Sequence, residues 1–263
     1  MATASPPPPR SPAPSHVLVS GGTSGVGLAI ATHFAAAGAE RIALIGRNRA
    51  RGAAAARAVG DCGADVQFFA GDAASARDST RLAAEAADFF EGRIDAFASA
   101  VAPGGHVGPV IHQDADELER ILLGLVLPVV QMNRAVLPFM KDLGGTIVNI
   151  ASDAAKVPTP GEAAVGSAMS AITMFSRTLA LEVKRYGIRV HSVTPSLVGD
   201  TLTAERLLAD EFGAKIFGRI VEKAALGVPL AEDIAATVLW LAGPTAAKVT
   251  GQVISVNGGI SAG

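Results

Sequence analysis

Cysteine is almost absent from this sequence: one residue, Cys62, in 263. A single thiol excludes an intramolecular disulfide framework and fits a reducing compartment, so the chain is expected to be cytoplasmic. Charge is also sparse, at 17% of residues, and nearly balanced, with a net of −2. That excludes the basic face a nucleic-acid partner would require. No uninterrupted run of about eighteen apolar residues occurs, which argues against a membrane span. The opening "MATASPPPPRSPAP" has no apolar stretch of the kind a secretory signal needs. No Cys/His/carboxylate spacing suggests a metal. Tyrosine is as scarce as cysteine, with Tyr186 alone.

Apolar residues, by contrast, make up 49% of the chain. At this length they suffice for one large α/β domain with a substantial core. Residues 1–14, rich in Pro and Ser, read as a disordered tail, and residues 15–263 as the domain, without internal repeats. From His16 onward, short apolar runs alternate with helix-like stretches. The runs are "HVLVS", "RIALIG", "ADVQFFAG", "RIDAFASA", "GGTIVNIAS", "GIRVHSV" and "GQVISVNGG". Bounded by Gly or charge, they read as buried parallel strands, about seven in all. The alternation implies a Rossmann-type, doubly wound parallel sheet with right-handed crossovers.

"SGGTSGVG" joins the first strand to the first helix and spaces Gly21, Gly25 and Gly27 as G-x-x-x-G-x-G. Such a loop lets backbone approach a pyrophosphate and directs a helix N-terminus at it, although glycines also serve tight turns. Its place between a strand and a helix favours the nucleotide reading. Asp72, just past the third strand, is either an acceptor for an adenine amino group or a helix cap. At the end of the second strand, "ALIGRNR" offers Arg47 and Arg49 and no acid. That chemistry suits a ribose 2′-phosphate, so of the two NAD(P) cofactors NADP is favoured if one binds.

Together "SGGTSGVGLAIA", "GGTIVNIAS", "YGIRVHSVTPS" and "EDIAATVLWLAGPTAAKVTGQVISVNGG" resemble, in this order, the short-chain dehydrogenase/reductase family over nearly the whole chain after the tail. The resemblance implies an NAD(P)-binding fold and places the family's catalytic serine at Ser152. It also implies a tyrosine thirteen residues on and a lysine four further, but this chain has Val165 and Met169 there. The family's asparagine in the preceding long helix corresponds to Leu125, and its Asn-Asn-Ala-Gly to the segment from Ser99 to Ala102. Its Pro-Gly turn reads Pro195-Ser196.

Hydride transfer at a carbonyl carbon needs a partner that moves a proton on oxygen, and a tyrosine acidified by a lysine ammonium does this. Valine has no such proton and methionine no charge. Tyr186 ends a helix and reads as packing. Asp153, Lys156, Glu162, His106 and His112 are candidates for a new catalytic role, with solvated or structural positions as the plain alternative. The family's oligomers are built through the helices flanking the fifth strand. The resemblance therefore implies a non-catalytic subunit, dimeric or tetrameric, paired with itself or with an active homologue, as in a heterotetrameric hydroxyacyl-CoA dehydrogenase. An enzyme of changed chemistry, such as a cyclase, a lyase or an atypical NADP-dependent reductase, and a ligand-binding sensor are the alternatives. The helix expected from about Glu162 to Val183 puts Ala164, Ala168, Ala171 and Phe175 at helical spacing, a stripe another helix can approach.

Overall fold

The computed structural model describes residues 15–101, 107–209 and 211–262. The Pro-rich segment 1–14 and His106 lie outside them. Seven strands form: β1 (His16–Ser20), β2 (Arg41–Gly46), β3 (Asp65–Ala70), β4 (Ala96–Ser99), β5 (Gly145–Ile150), β6 (Ile188–Thr194) and β7 (Val253–Ser255). Between them run α1 (Gly25–Ala36), α2 (Arg49–Gly60), α3 (Ala76–Phe89), α4 (Ala115–Val136), α5 (Ala163–Val183), α6 (Leu202–Ala209), α7 (Glu211–Lys223) and α8 (Ala231–Ala242). All strand pairs are parallel, in the order β3-β2-β1-β4-β5-β6-β7. This is the doubly wound α/β architecture the alternating pattern requires.

Continuous apolar runs make buried strands because helices cover both faces of the sheet. On one face Leu82 of α3, Met132 of α4 and Leu179 of α5 pack on β1, β4 and β5. On the other, Ile30 of α1, Val59 of α2 and Val238 of α8 do so. Side chains mark several helix starts: Asn48 accepts from Arg51 N, Ser75 from Asp78 N and Asp114 from Glu117 N. Each cap of this type contributes about 1 kcal/mol.

Two polar ties hold the layers. Asn133 of α4, Asn149 of β5 and Ser176 of α5 form a buried hydrogen-bonded chain with contacts of 2.8–3.2 Å. The second is Arg189 of β6, whose guanidinium donates to Thr146 Oγ1 at 2.6 Å. It also donates to the carbonyls of Leu241, Ala242 and Ala246, which end α8 and begin the next turn.

One long apolar helix needs an account, and one expectation needs correction. The segment Ala115–Phe139 is long and apolar enough, with a mean hydropathy of 1.6, to cross a membrane. Here α4 lies between α3 and α5, and Met132, Asn133 and Val136 face the core, so core burial explains the apolarity. The small-residue stripe of α5 also divides. Ala164 and Ala168 turn inward against Ile121 and Leu125 of α4, whereas Ala171 is exposed. The outward apolar residues of α5 are Ala163, Ala171, Met174 and Leu181.

Candidate functional site

Strand order reverses between β1 and β4, and the crevice above their C-terminal ends is where such sheets bind ligands. The glycine loop fills one side of it. Gly21 has φ +78°, and a Cβ there would lie 2.6 Å from the Ala100 carbonyl oxygen. A Cβ on Gly27 would lie 2.2 Å from Gly21 O. Both glycines are thus demanded by how the loop packs on itself and on the chain after β4, whether or not a ligand is present. Substituting Gly27 perturbs the loop before it reports on any phosphate.

The rest of the crevice suits a dinucleotide phosphate. Ser24, at the N-cap of α1, makes no side-chain cap bond, and the first turn has no acid, so the positive end of the helix dipole is unopposed. A Cβ on Gly25 would meet the Thr201 methyl at 3.6 Å, and Thr201 caps α6 through its hydroxyl. Ser20 and Ser99 are in register on neighbouring strands, and their hydroxyls are buried without a protein partner among the described residues. Arg47 is exposed at the end of β2 and makes no ion pair among the described residues, while Asn48 caps α2. Asp72 is exposed, and its Oδ1 accepts from Ala74 N at 3.0 Å, so one carboxylate oxygen is taken by the turn into α3.

Past β5, Ser152 is half-buried, and its Oγ accepts from Ala154 N at 3.2 Å. The three other positions implied by the family resemblance do come together, but as hydrocarbon. Leu125 and Val165 pack with Ile121, Ala164 and Ala168. Met169 joins the same cluster and also packs with Val129, Ala151 and Ile172. An apolar seam therefore runs between α4 and α5 beside the serine. It offers no proton donor and no cation.

Asp153 and Lys156 are not solvated loop charges. Asp153 is 5% exposed, and its carboxylate accepts from Ser255 Oγ at 2.8 Å, Ser261 Oγ at 3.0 Å and Asn257 Nδ2. Lys156 Nζ lies 3.5 Å from Asp153 Oδ1 and also donates to Ser255 Oγ. Burial opposes the Asp153 charge. Hydrogen bonds from Asn257, Ser255, Thr194 and Ser261 outweigh it and hold the carboxyl below its usual range. This knot fastens the C-terminal segment to the loop after β5. The only local signal for it was an acid and a lysine three residues apart; the partners lie about a hundred residues further on.

Glu162 precedes α5 and is half-buried, and burial pushes its carboxyl above the usual range against one hydrogen bond from Thr159. His112 is exposed beside a cavity of about 250 Å³ that Glu117 and Phe212 also line. His106 lies outside the described residues.

A family model described as enoyl-(acyl carrier protein) reductase matches residues 21–261. The chain is 32% identical over 248 residues to 2-(S)-hydroxypropyl-CoM dehydrogenase 3 of Xanthobacter autotrophicus, covering 94% of this chain and 96% of that protein. It is 28% identical over 248 residues to 3beta-hydroxysteroid dehydrogenase 1 of Eggerthella lenta, with 93% of each covered. Among solved structures, a short-chain dehydrogenase/reductase from Serratia marcescens superposes with a TM-score of 0.85 at 30% identity, over 96% of this chain and all of that one. NAD+-bound xylitol dehydrogenase superposes with a TM-score of 0.86 at 25% identity, over 92% of this chain and 97% of that one.

Proposed function

The chain belongs to the short-chain dehydrogenase/reductase family of oxidoreductases, and from that premise we propose that it is a non-catalytic subunit pairing with an active homologue. One observation carries the reading: Leu125, Val165 and Met169 close into an apolar seam where the family's chemistry needs an amide, a phenol and an ammonium. With no group to move a proton on oxygen, carbonyl reduction and alcohol oxidation have no relay. The partner is an active family member that supplies the relay, in an oxidoreductase acting on hydroxyacyl-CoA-type substrates. The sequence pattern resembles the inactive partner in the heterotetrameric 2-[hydroxy(phenyl)methyl]succinyl-CoA dehydrogenase of anaerobic toluene degradation. Exposed Leu122 and Leu123 on α4, with Met174 and Leu181 on α5, support assembly through that helix pair. A cytoplasmic location belongs to the same proposal.

Turnover of NAD(H) and NADP(H) across alcohols, ketones and hydroxyacyl-CoA thioesters tests it. The homogeneous chain is expected to give none, and robust turnover would sink the reading. Sedimentation of the chain alone and with a candidate homologue should show dimers or tetramers. Ala171→Arg should dissociate them without unfolding the chain, because Ala171 is exposed in the protomer. If a dinucleotide is held, Gly25, the α1 N-terminus and Arg47 hold it. NADP should then bind more tightly than NAD, a preference that calorimetry of Arg47→Ala should find removed.

A second reading rests on Glu162, half-buried three residues before Val165, whose carboxyl burial pushes above the usual range. In an enzyme of changed chemistry it would donate the proton that tyrosine otherwise gives. Activity found in the wild type and lost in Glu162→Gln would select this reading over the subunit one.

A further inference from the structure

Near the start of β6, an open cavity of about 460 Å³ lies where α3, the end of α4 and the end of α5 meet. Its wall is apolar: Ala84 of α3, Pro138 and Phe139 in the turn after α4, and Val183 of α5. Two cations, Arg134 and Lys141, stand among the lining residues, and no carboxylate does. Both are exposed, and neither makes an ion pair among the described residues. Tyr186, which the sequence suggested was packing, is 38% exposed and lines the same cavity. The guanidinium of Arg185 lies 4.8 Å from the centre of its ring.

The volume falls within the roughly 300–1,000 Å³ usual for small-molecule sites. An apolar wall rewards a hydrocarbon tail for leaving water, and cations without acids at the mouth reward a single anionic head. We propose that this cavity binds a medium-chain carboxylate, a fatty acid or an acyl acid of that shape. Its tail lies on Pro138, Phe139 and Val183, and its carboxylate meets Arg134 and Lys141. The site shares no residue with the crevice above β1 and β4, although Arg134 and Val183 belong to the helix pair through which assembly is proposed.

Calorimetric titration of the full chain with sodium decanoate, kept below its micelle concentration, tests the proposal, with decanol as the neutral control. Saturable decanoate binding is expected in the wild type. The double variant Arg134→Gln/Lys141→Gln should weaken decanoate by about tenfold or more, the scale of charge-assisted hydrogen bonds, and leave decanol within about twofold. Ala84→Phe, which fills the cavity, should abolish both, with unchanged circular dichroism confirming the fold. Absence of saturable binding in the wild type, or binding that survives both variants, overturns the proposal. So does a chain that ignores decanoate and whose dimer dissociates in the double variant, which would assign the face to a second copy.

Discussion

Replacing Asp153 by asparagine tests the knot that fastens the C-terminus. The change keeps the shape and removes one charge that three side-chain donors and Lys156 converge on. Breaking a buried ion pair from one side costs about 3–5 kcal/mol. The Lys156 side chain is 12% exposed, so its ammonium can be partly hydrated after the change, which puts the expected loss near about 3 kcal/mol. Against a total stability of roughly 5–15 kcal/mol that is a large fraction. At about 2–4 °C per kcal/mol for a chain of this size, the melting temperature should fall by roughly 6–12 °C. Urea titrations across pH then separate charge from shape. The native Asp153 carboxyl is held below its unfolded value, so its contribution is complete above roughly pH 4 and is lost as pH falls through the native value. His191 produces a separate acid-side loss. Burial and the nearby Arg189 charge push its ring down to about 4, so the native ring stays neutral where the unfolded one takes a proton near 6.5. That loss is common to both proteins and cancels in the difference. The wild-type advantage should therefore hold from neutrality to about pH 4 and shrink below it. A difference under about 1 kcal/mol at pH 7, or one that stays constant into acid, would refute the reasoning.

Two further changes probe the apolar seam and the clamp on α8. Leu125→Asn introduces the residue that the family resemblance implies at a position now 6% exposed, losing hydrocarbon burial and leaving a buried amide unpaired. It should lower stability by about 3–4 kcal/mol in urea unfolding, and an unchanged midpoint would mean that the seam has polar room. Arg189→Met strands the carbonyls that end α8 and should cost about 2–4 kcal/mol, with faster amide exchange in the last turn of that helix. Exchange that stays slow there would assign the anchoring of α8 to packing alone.

What the sequence alone determined is local in origin. Runs such as "RIALIG" coincide with β2, and "HVLVS" with β1, because a strand buried on both faces leaves an unbroken apolar stretch in the chain. The reading of Val165 and Met169 as the positions where the family resemblance implies tyrosine and lysine likewise rests on spacing along the chain. Other facts belong to the tertiary structure. Ala164 and Ala168 look like an outward seam until α4 is seen to cover them. Gly27 looks like a ligand's glycine until the Gly21 carbonyl is found where its Cβ would be. Asp153 reads as a loop charge until Ser255, Asn257 and Ser261 return to it. Arg134, Lys141 and Tyr186 share a cavity that no spacing announces. Periodicity and motif spacing are written within one segment of chain. Whether a charge can be buried, and which glycine can tolerate a side chain, depends on atoms brought close by folding from segments far along the chain.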